Sequence, residues 1–235
     1  MRHWIAALII LSTMVIITGC SDDDPVNPGP TTYAGLQGHV IDDDGNPRAG
    51  VSIGLIYDIP GVTGGLKPHD LTKASPGDFP DPRPVRLWIT DYAGDLVITL
   101  LDTIPPGAPA IIWDGLDEDG NGAPSGMYTY HLEIEGTETL EHDMFLLYLG
   151  AEDFLRAPNA VTDENGMFQI PDSLIPVGEL VIVTDEEGNI VDEVAVGDQI
   201  GLRAVIQGSP NPEWVGGSVE FIRGGGSEEI ELTLP

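Results

Sequence analysis

Asp117, Asp119 and Asn121 put side-chain oxygens at alternate positions, and Gly122 follows them. This is how a calcium-binding loop opens, with hard oxygen ligands around the ion and a glycine at the sharp bend. The later acidic ligand of that pattern is missing, because Tyr128 stands where it would fall. Ca²⁺ is therefore the one cofactor these residues raise, and the same stretch also suits a plain hairpin turn. Other chemistry is sparse. His3, His39, His69, His131 and His142 form no H-x-x-x-H or H-x-x-E pair that could seed a zinc site. The one G-x-S-x-G spelling, Gly50 to Gly54, falls inside the strand-like run Gly50–Ile56 and not at a strand-to-helix turn, so it is no nucleophile turn, and no glycine loop of the phosphate-cradling kinds occurs. Gly224 to Ser227 runs straight into Glu228 and Glu229, which repel phosphate. No catalytic constellation emerges, so the chain reads as a non-enzyme.

Cys20 is the only cysteine, which excludes an internal disulfide and any multi-thiolate metal site. It ends a distinctive segment. Met1 to Trp4 is a short, weakly positive start, and Ile5 to Thr18 is uncharged and mostly apolar. That run is too short to span a bilayer comfortably and has the form of a secretory signal. Ile17-Thr18-Gly19-Cys20 then gives way to Ser21-Asp22-Asp23-Asp24. The motif resembles the lipobox of bacterial lipoproteins. The resemblance implies cleavage before Cys20 and lipidation of its sulfur and new α-amine, with several acyl chains anchoring the protein firmly. Residues 1–19 are then a signal peptide, and residues 20–33 are the lipidated Cys with a flexible acidic tether. Ser21, rather than Asp, after the Cys resembles lipoproteins forwarded to the outer membrane. The expected location is the cell envelope, on either face of that membrane.

The body of the chain must position whatever the tether carries. Asp and Glu number 39 against 9 Lys and Arg, a net charge of −30, which excludes nucleic-acid binding as a main role. Gly and Pro number 30 and 20, which argues against a helical bundle. Short alternating apolar runs recur from Leu36–Ile41 to Ile230–Leu234, including Gly50–Ile56, Val85–Ile89, Ala110–Trp113, Met127–Ile134, Met144–Leu149 and Ser218–Ile222. Asp-, Asn- and Gly-rich turns separate them. No long helix stands out. This grammar predicts an all-β fold of sandwich modules. Acidic residues gather in the turns, at Asp42–Asp44, Asp117–Asp119, Asp163–Glu164 and Asp185–Glu187. Residues 61–84 are Gly/Pro-rich and read as a connector.

Two modules are legible by resemblance. Val85 to Val97 (VRLWITDYAGDLV), Ile112 to Gly120 (IWDGLDEDG) and Ser125 to Leu132 (SGMYTYHL) resemble the immunoglobulin-like domain of the flagellar hook-capping protein family. Met144–Tyr148 fits its last strand. Trp113, Tyr128 and Tyr130 suit core packing and hairpin geometry better than an aromatic ligand platform. The flanks resemble the two halves of a carboxypeptidase regulatory-like domain, a small transthyretin-like sandwich. The first half is Leu36–Ile53, and the second is Val161–Ile170 followed by Pro176–Leu180. Neither resemblance brings catalytic chemistry. The expected organisation is one sandwich from residues 34–60 plus 150–235, interrupted by an Ig-like sandwich at 85–149. The expected role is a non-catalytic, lipid-anchored envelope protein. It meets the membrane through Cys20 and serves as spacer or interaction surface for an envelope or extracellular protein. The alternative is a surface lipoprotein that captures a glycan or calcium.

Overall fold

A computed structural model describes residues 34–62, 64–66, 85–101, 113–134, 139–184, 190–206, 214–224 and 229–235. The chain is all-β there, apart from one short helix and a single 3₁₀ turn. Strand β1 (Gly35–Asp42) lies between β8 (Met167–Pro171), antiparallel to it, and β13 (Glu229–Leu234), parallel to it. Strand β2 (Val51–Tyr57) lies between β7 (Ala160–Val161) and β11 (Gln199–Ile206), and β12 (Trp214–Glu220) extends that sheet beyond β11. Among the described residues, all strand partners of β1 and β2 thus come from residues 160–234.

The alternation along these strands decides which side chains meet. Leu36 and Val40 of β1, with Phe168, Ile170, Leu232 and Leu234, face Ile53, Leu55, Ile200 and Leu202 of the other sheet. Each of these is buried. Two sheets closing on one apolar layer make a sandwich. Strands β9 (Leu180–Thr184) and β10 (Ile190–Ala195) form a separate ribbon, whose Val181 and Val194 pack against the same core.

A further, four-stranded sheet has the order β4 (Leu96–Leu101), β3 (Val85–Asp91), β5 (Gly126–Ile134), β6 (Leu140–Leu146), all antiparallel. Its inner face carries Leu87, Ile89, Tyr128 and Leu132, packed on Trp113 and Tyr148. Trp113 has no exposed surface, donates its indole N–H to the Leu116 carbonyl at 2.8 Å and meets Tyr128 edge-on at 5.2 Å. It lies in an extended loop and not in a strand, so the run Ala110–Trp113 does not end as expected; residues 110–112 fall outside the described residues. The run expected at Met144–Leu149 belongs to a strand that begins earlier and ends at Leu146, with Leu147 bridging to Leu66. Helix α1 (Ala151–Arg156) was not expected, because six residues are too few to display a helical period. No helix among the described residues is long and apolar enough to cross a membrane.

Among the described residues one turn design occurs four times, at Asp42–Asn46, Asp91–Asp95, Asp117–Asn121 and Asp163–Met167. In each, the fourth residue is a glycine with φ between +72° and +89° whose N–H donates to the carbonyl of the first residue. The first residue's N–H in turn donates to the fifth residue's carbonyl. Only glycine takes that backbone conformation without steric cost. The four sites differ in the space around them. A Cβ on Gly120 would meet nothing within 4 Å, whereas one on Gly166 would lie 2.5 Å from the Val40 carbonyl oxygen. Gly120→Ala is therefore expected to cost about 1–2 kcal/mol for the left-handed backbone alone. Gly166→Ala should cost about 3 kcal/mol or more, because the clash adds to the strain. Urea unfolding of the two variants measures the difference.

Candidate functional site

Asp117, Asp119 and Asn121 lie together in one exposed hairpin loop, and Asp117 is engaged by its own loop. Its Oδ1 accepts the N–H groups of Asp119 at 2.9 Å and Asn121 at 2.8 Å, while Oδ2 accepts the Asn121 side-chain amide at 3.1 Å. A cation bound here competes with those donors for the carboxylate. Asp42 holds Asp44 and Asn46 in the same way, and Asp163 holds Asn165 and Met167. Among the described residues no three His, Cys, Asp or Glu side chains converge on a point that could hold a metal ion. The acidic turn at Asp185–Glu187 lies outside the described residues.

These clamps shape the acid response of the fold. Backbone N–H groups, those of Asn46, Asn121 and Met167 first, hold the carboxyls of Asp42, Asp117 and Asp163 below the usual carboxylate range. A carboxyl with a folded pKa below its unfolded value of about 3.9 contributes stability above that pH. The contribution is lost as pH falls through the folded value. A triple variant, Asp42→Ala with Asp117→Ala and Asp163→Ala, is expected to melt below the wild type at pH 6. The gap should narrow steadily from about pH 4 downward, which melting curves at stepped pH will record.

Cys20 lies outside the described residues, as do His3 and His69. His131 joins its ring nitrogens to Thr90 at 3.0 Å and Glu141 at 3.2 Å, and its ring stacks on Trp88 at 4.9 Å. His142 contacts Tyr130 at 5.1 Å between ring centres. Trp113 and Tyr128 are core residues, and neither ring is open to a ligand.

The two sheet systems meet at a seam built from both. Asn159 is its polar centre: its Oδ1 accepts the Leu55 N–H of β2 at 2.9 Å, and its Nδ2 donates to the Ser125 carbonyl at 2.8 Å. The Asn159 backbone N–H donates to the Ile53 carbonyl at 2.8 Å. Ser125 Oγ accepts the Tyr148 N–H. Phe154 of α1 is buried with its ring against Gly54 of β2, in the core that also takes Val205 of β11. From the other side, Phe145 and Leu147 enter the first core, and Phe145 meets Tyr57 edge-on at 5.3 Å.

Residues 74–138 match the family model of the FlgD Ig-like domain. No curated protein matches the chain. The FlgD Ig-like match covers β3, β4 and β5, and β6 lies past its end while remaining in register with β5 from Gly126 to Leu132. This part of the chain is similar to a non-catalytic β-domain.

At the edge of the β4–β3–β5–β6 sheet, the β3–β4 hairpin touches the rest of the chain around a shallow, open depression. Ala34, Tyr92, Ala93, Pro171, Asp172, Ser173 and Arg223 line it. The Tyr92 hydroxyl donates to Glu179 at 2.5 Å. Burial, followed by that bond, pushes the Tyr92 pKa up, so the phenol remains a donor through neutral pH. Arg223 lies 5.3 Å over the Tyr92 ring, and its guanidinium donates to Glu179 and to the carbonyls of Ile175 and Val177. Sequence reasoning missed this group. Tyr92, Asp172, Glu179 and Arg223 are far apart in the chain and form no motif; only the fold joins them.

Proposed function

We propose that this chain is a lipid-anchored, non-catalytic cell-envelope protein whose two fused β-sandwiches act as a spacer and protein-interaction surface. The seam carries the reading. Two sandwiches that exchange core residues and share the Asn159 bridge transmit position as one stiff body, which a spacer requires and a flexible pair of beads does not provide. The similarity of residues 74–138 to the FlgD Ig-like domain supports a binding or structural role over a catalytic one. The Ile17–Cys20 motif and the acidic stretch after it support an anchored, stood-off body in the outer membrane. We further propose that residues 34–60 and 150–235 form a carboxypeptidase regulatory-like sandwich, with the Ig-like part at 85–149 inserted into it. The pairing of β1 with β8 and β13 supports that division.

Fractionation of cells producing the chain tests the proposal. The wild type should sediment with the envelope membranes, and Cys20→Ala should release it to the soluble fraction. Protease treatment of intact and lysed cells then separates an outward from a periplasmic display. A wild type that stays soluble would contradict the anchored role.

A further inference from the structure

We propose that the end of the body at which Ala34 receives the expected tether is a membrane-contact face, seated on the lipid bilayer through exposed apolar side chains. The inference rests on the anchored role proposed above and names what the base of the body touches. Hydrogen bonds define that end. The Asp172 N–H donates to the Ala34 carbonyl at 3.1 Å, the Gly224 N–H to Asp172 Oδ2 at 3.1 Å, and the Phe221 N–H to the Asp198 carbonyl at 2.8 Å. Tyr92 and Arg223 both meet Glu179, which brings the β3–β4 hairpin and the start of β9 to the same place. Strands β1 and β13 run parallel away from it. The turns at Asp42–Asn46 and Asp163–Met167 therefore lie at the opposite end, where the Val40 N–H donates to the Gly166 carbonyl.

The two ends differ in what they expose. Ile222 is 68% exposed, Leu180 56% and Leu96 50%. Ile222 adjoins Arg223, Leu180 adjoins Glu179, and Leu96 follows directly on the turn that carries Tyr92. The opposite end presents exposed Asp43, Asp44, Asp163 and Glu164, with Val161 its one large exposed apolar side chain among the described residues. Large apolar side chains gathered in the open mark a contact surface. Location names the occupant. Fourteen residues, Cys20 to Tyr33, link the expected lipid to Ala34. Such a stretch reaches at most about 50 Å, so the bilayer is an apolar phase held permanently near this end. A tether of this composition fixes no distance by itself. A seated base does: β1 alone spans about 24 Å, and the stiff body then holds its acidic end at least that far from the lipid. The net charge of −30 opposes contact with anionic lipid, while Arg223 offsets Glu179 at the base, so neutral lipid is the surface this face fits.

The test uses the full chain, lipidated at Cys20, in phosphatidylcholine vesicles containing lipid with a nitroxide headgroup. Cys20 is the only cysteine and acylation occupies it, so one added cysteine carries one fluorescent label. Ser173→Cys marks the base and Glu164→Cys the opposite end, both at exposed positions. The chain should float with the vesicles, and the label at 173 should be quenched while that at 164 is not. Adding Leu180→Ser and Ile222→Ser should lower the ratio of seated to free bodies about ten-fold or more, read as lost quenching at 173 with flotation unchanged. Melting curves check that the fold is kept, and Leu96→Ser, on a different element, should weaken the quenching in the same direction. Equal quenching at 173 and 164, none at either, or quenching at 173 that survives all three serine changes together would overturn the proposal while flotation leaves the anchored role intact. A label at 173 shielded in native envelope membranes but not in pure lipid vesicles would overturn it in favour of a protein beneath the base. A chain that does not float would overturn the anchored role and this inference with it.

Discussion

The Phe154→Ala variant is expected to lose about 3–5 kcal/mol of stability, the range for emptying a buried aromatic site. Phe154 is 1% exposed, and its ring occupies the place where any side chain on Gly54 would project. A Cβ built on Gly54 would lie 2.0 Å from the ring. Gly54→Ala alone should therefore cost about 1–3 kcal/mol through overpacking, since the ring cannot move within a filled core. The two changes act on one space. The double variant should be less damaged than the sum of the two singles, because alanine at 54 partly fills what alanine at 154 vacates. Denaturant unfolding of the four proteins measures the coupling. Additive losses would mean that the Gly54–Phe154 contact is not the one that sets the approach of α1 to β2.

Asn159→Ala is expected to cost about 2–4 kcal/mol, from two partners left without a bond. The Leu55 N–H lies in a fully buried residue, and Ser125 is 2% exposed, so water does not readily replace the amide at either. At this chain length, about 1 kcal/mol moves the melting temperature by about 2–4 °C, so the shift is readily measured. Asn159→Asp separates the two bonds. It keeps an acceptor for Leu55 and removes the donor to Ser125, placing a charge against a carbonyl. It should be at least as damaging as alanine. Thermal melts of both variants decide the order.

The turns and strands were largely legible in the sequence, because their physics is local. Asp at the first and Gly at the fourth position of a loop between alternating apolar runs specify the hairpin wherever they occur. Asp42, Asp117 and Asp163 fold their loops alike in three different settings. Trp113 and Tyr128 were legible as core for a similar reason, size and alternation. The seam was not legible. Asn159 resembles any loop asparagine until β2 and Ser125 are brought to either side of it. Helix α1 hides within one and a half turns. The Tyr92–Glu179–Arg223 group depends on three distant stretches meeting. The carboxylate pattern that suggested a calcium loop at Asp117, Asp119 and Asn121 is the same pattern that clamps a turn, and spacing alone does not distinguish the two uses.

The central claim is that the two sandwiches form one stiff body, and native-state hydrogen exchange tests it most directly. Amides at the seam and in both cores, such as Leu55, Tyr148, Ile89 and Leu202, should open with the same free energy and the same denaturant dependence, as parts of one cooperative unit. If Ile89 and its neighbours in β3 to β6 instead opened at much lower free energy while Leu55 and Leu202 stayed protected, the seam would be a loose contact between independent domains, and the spacer account would be contradicted.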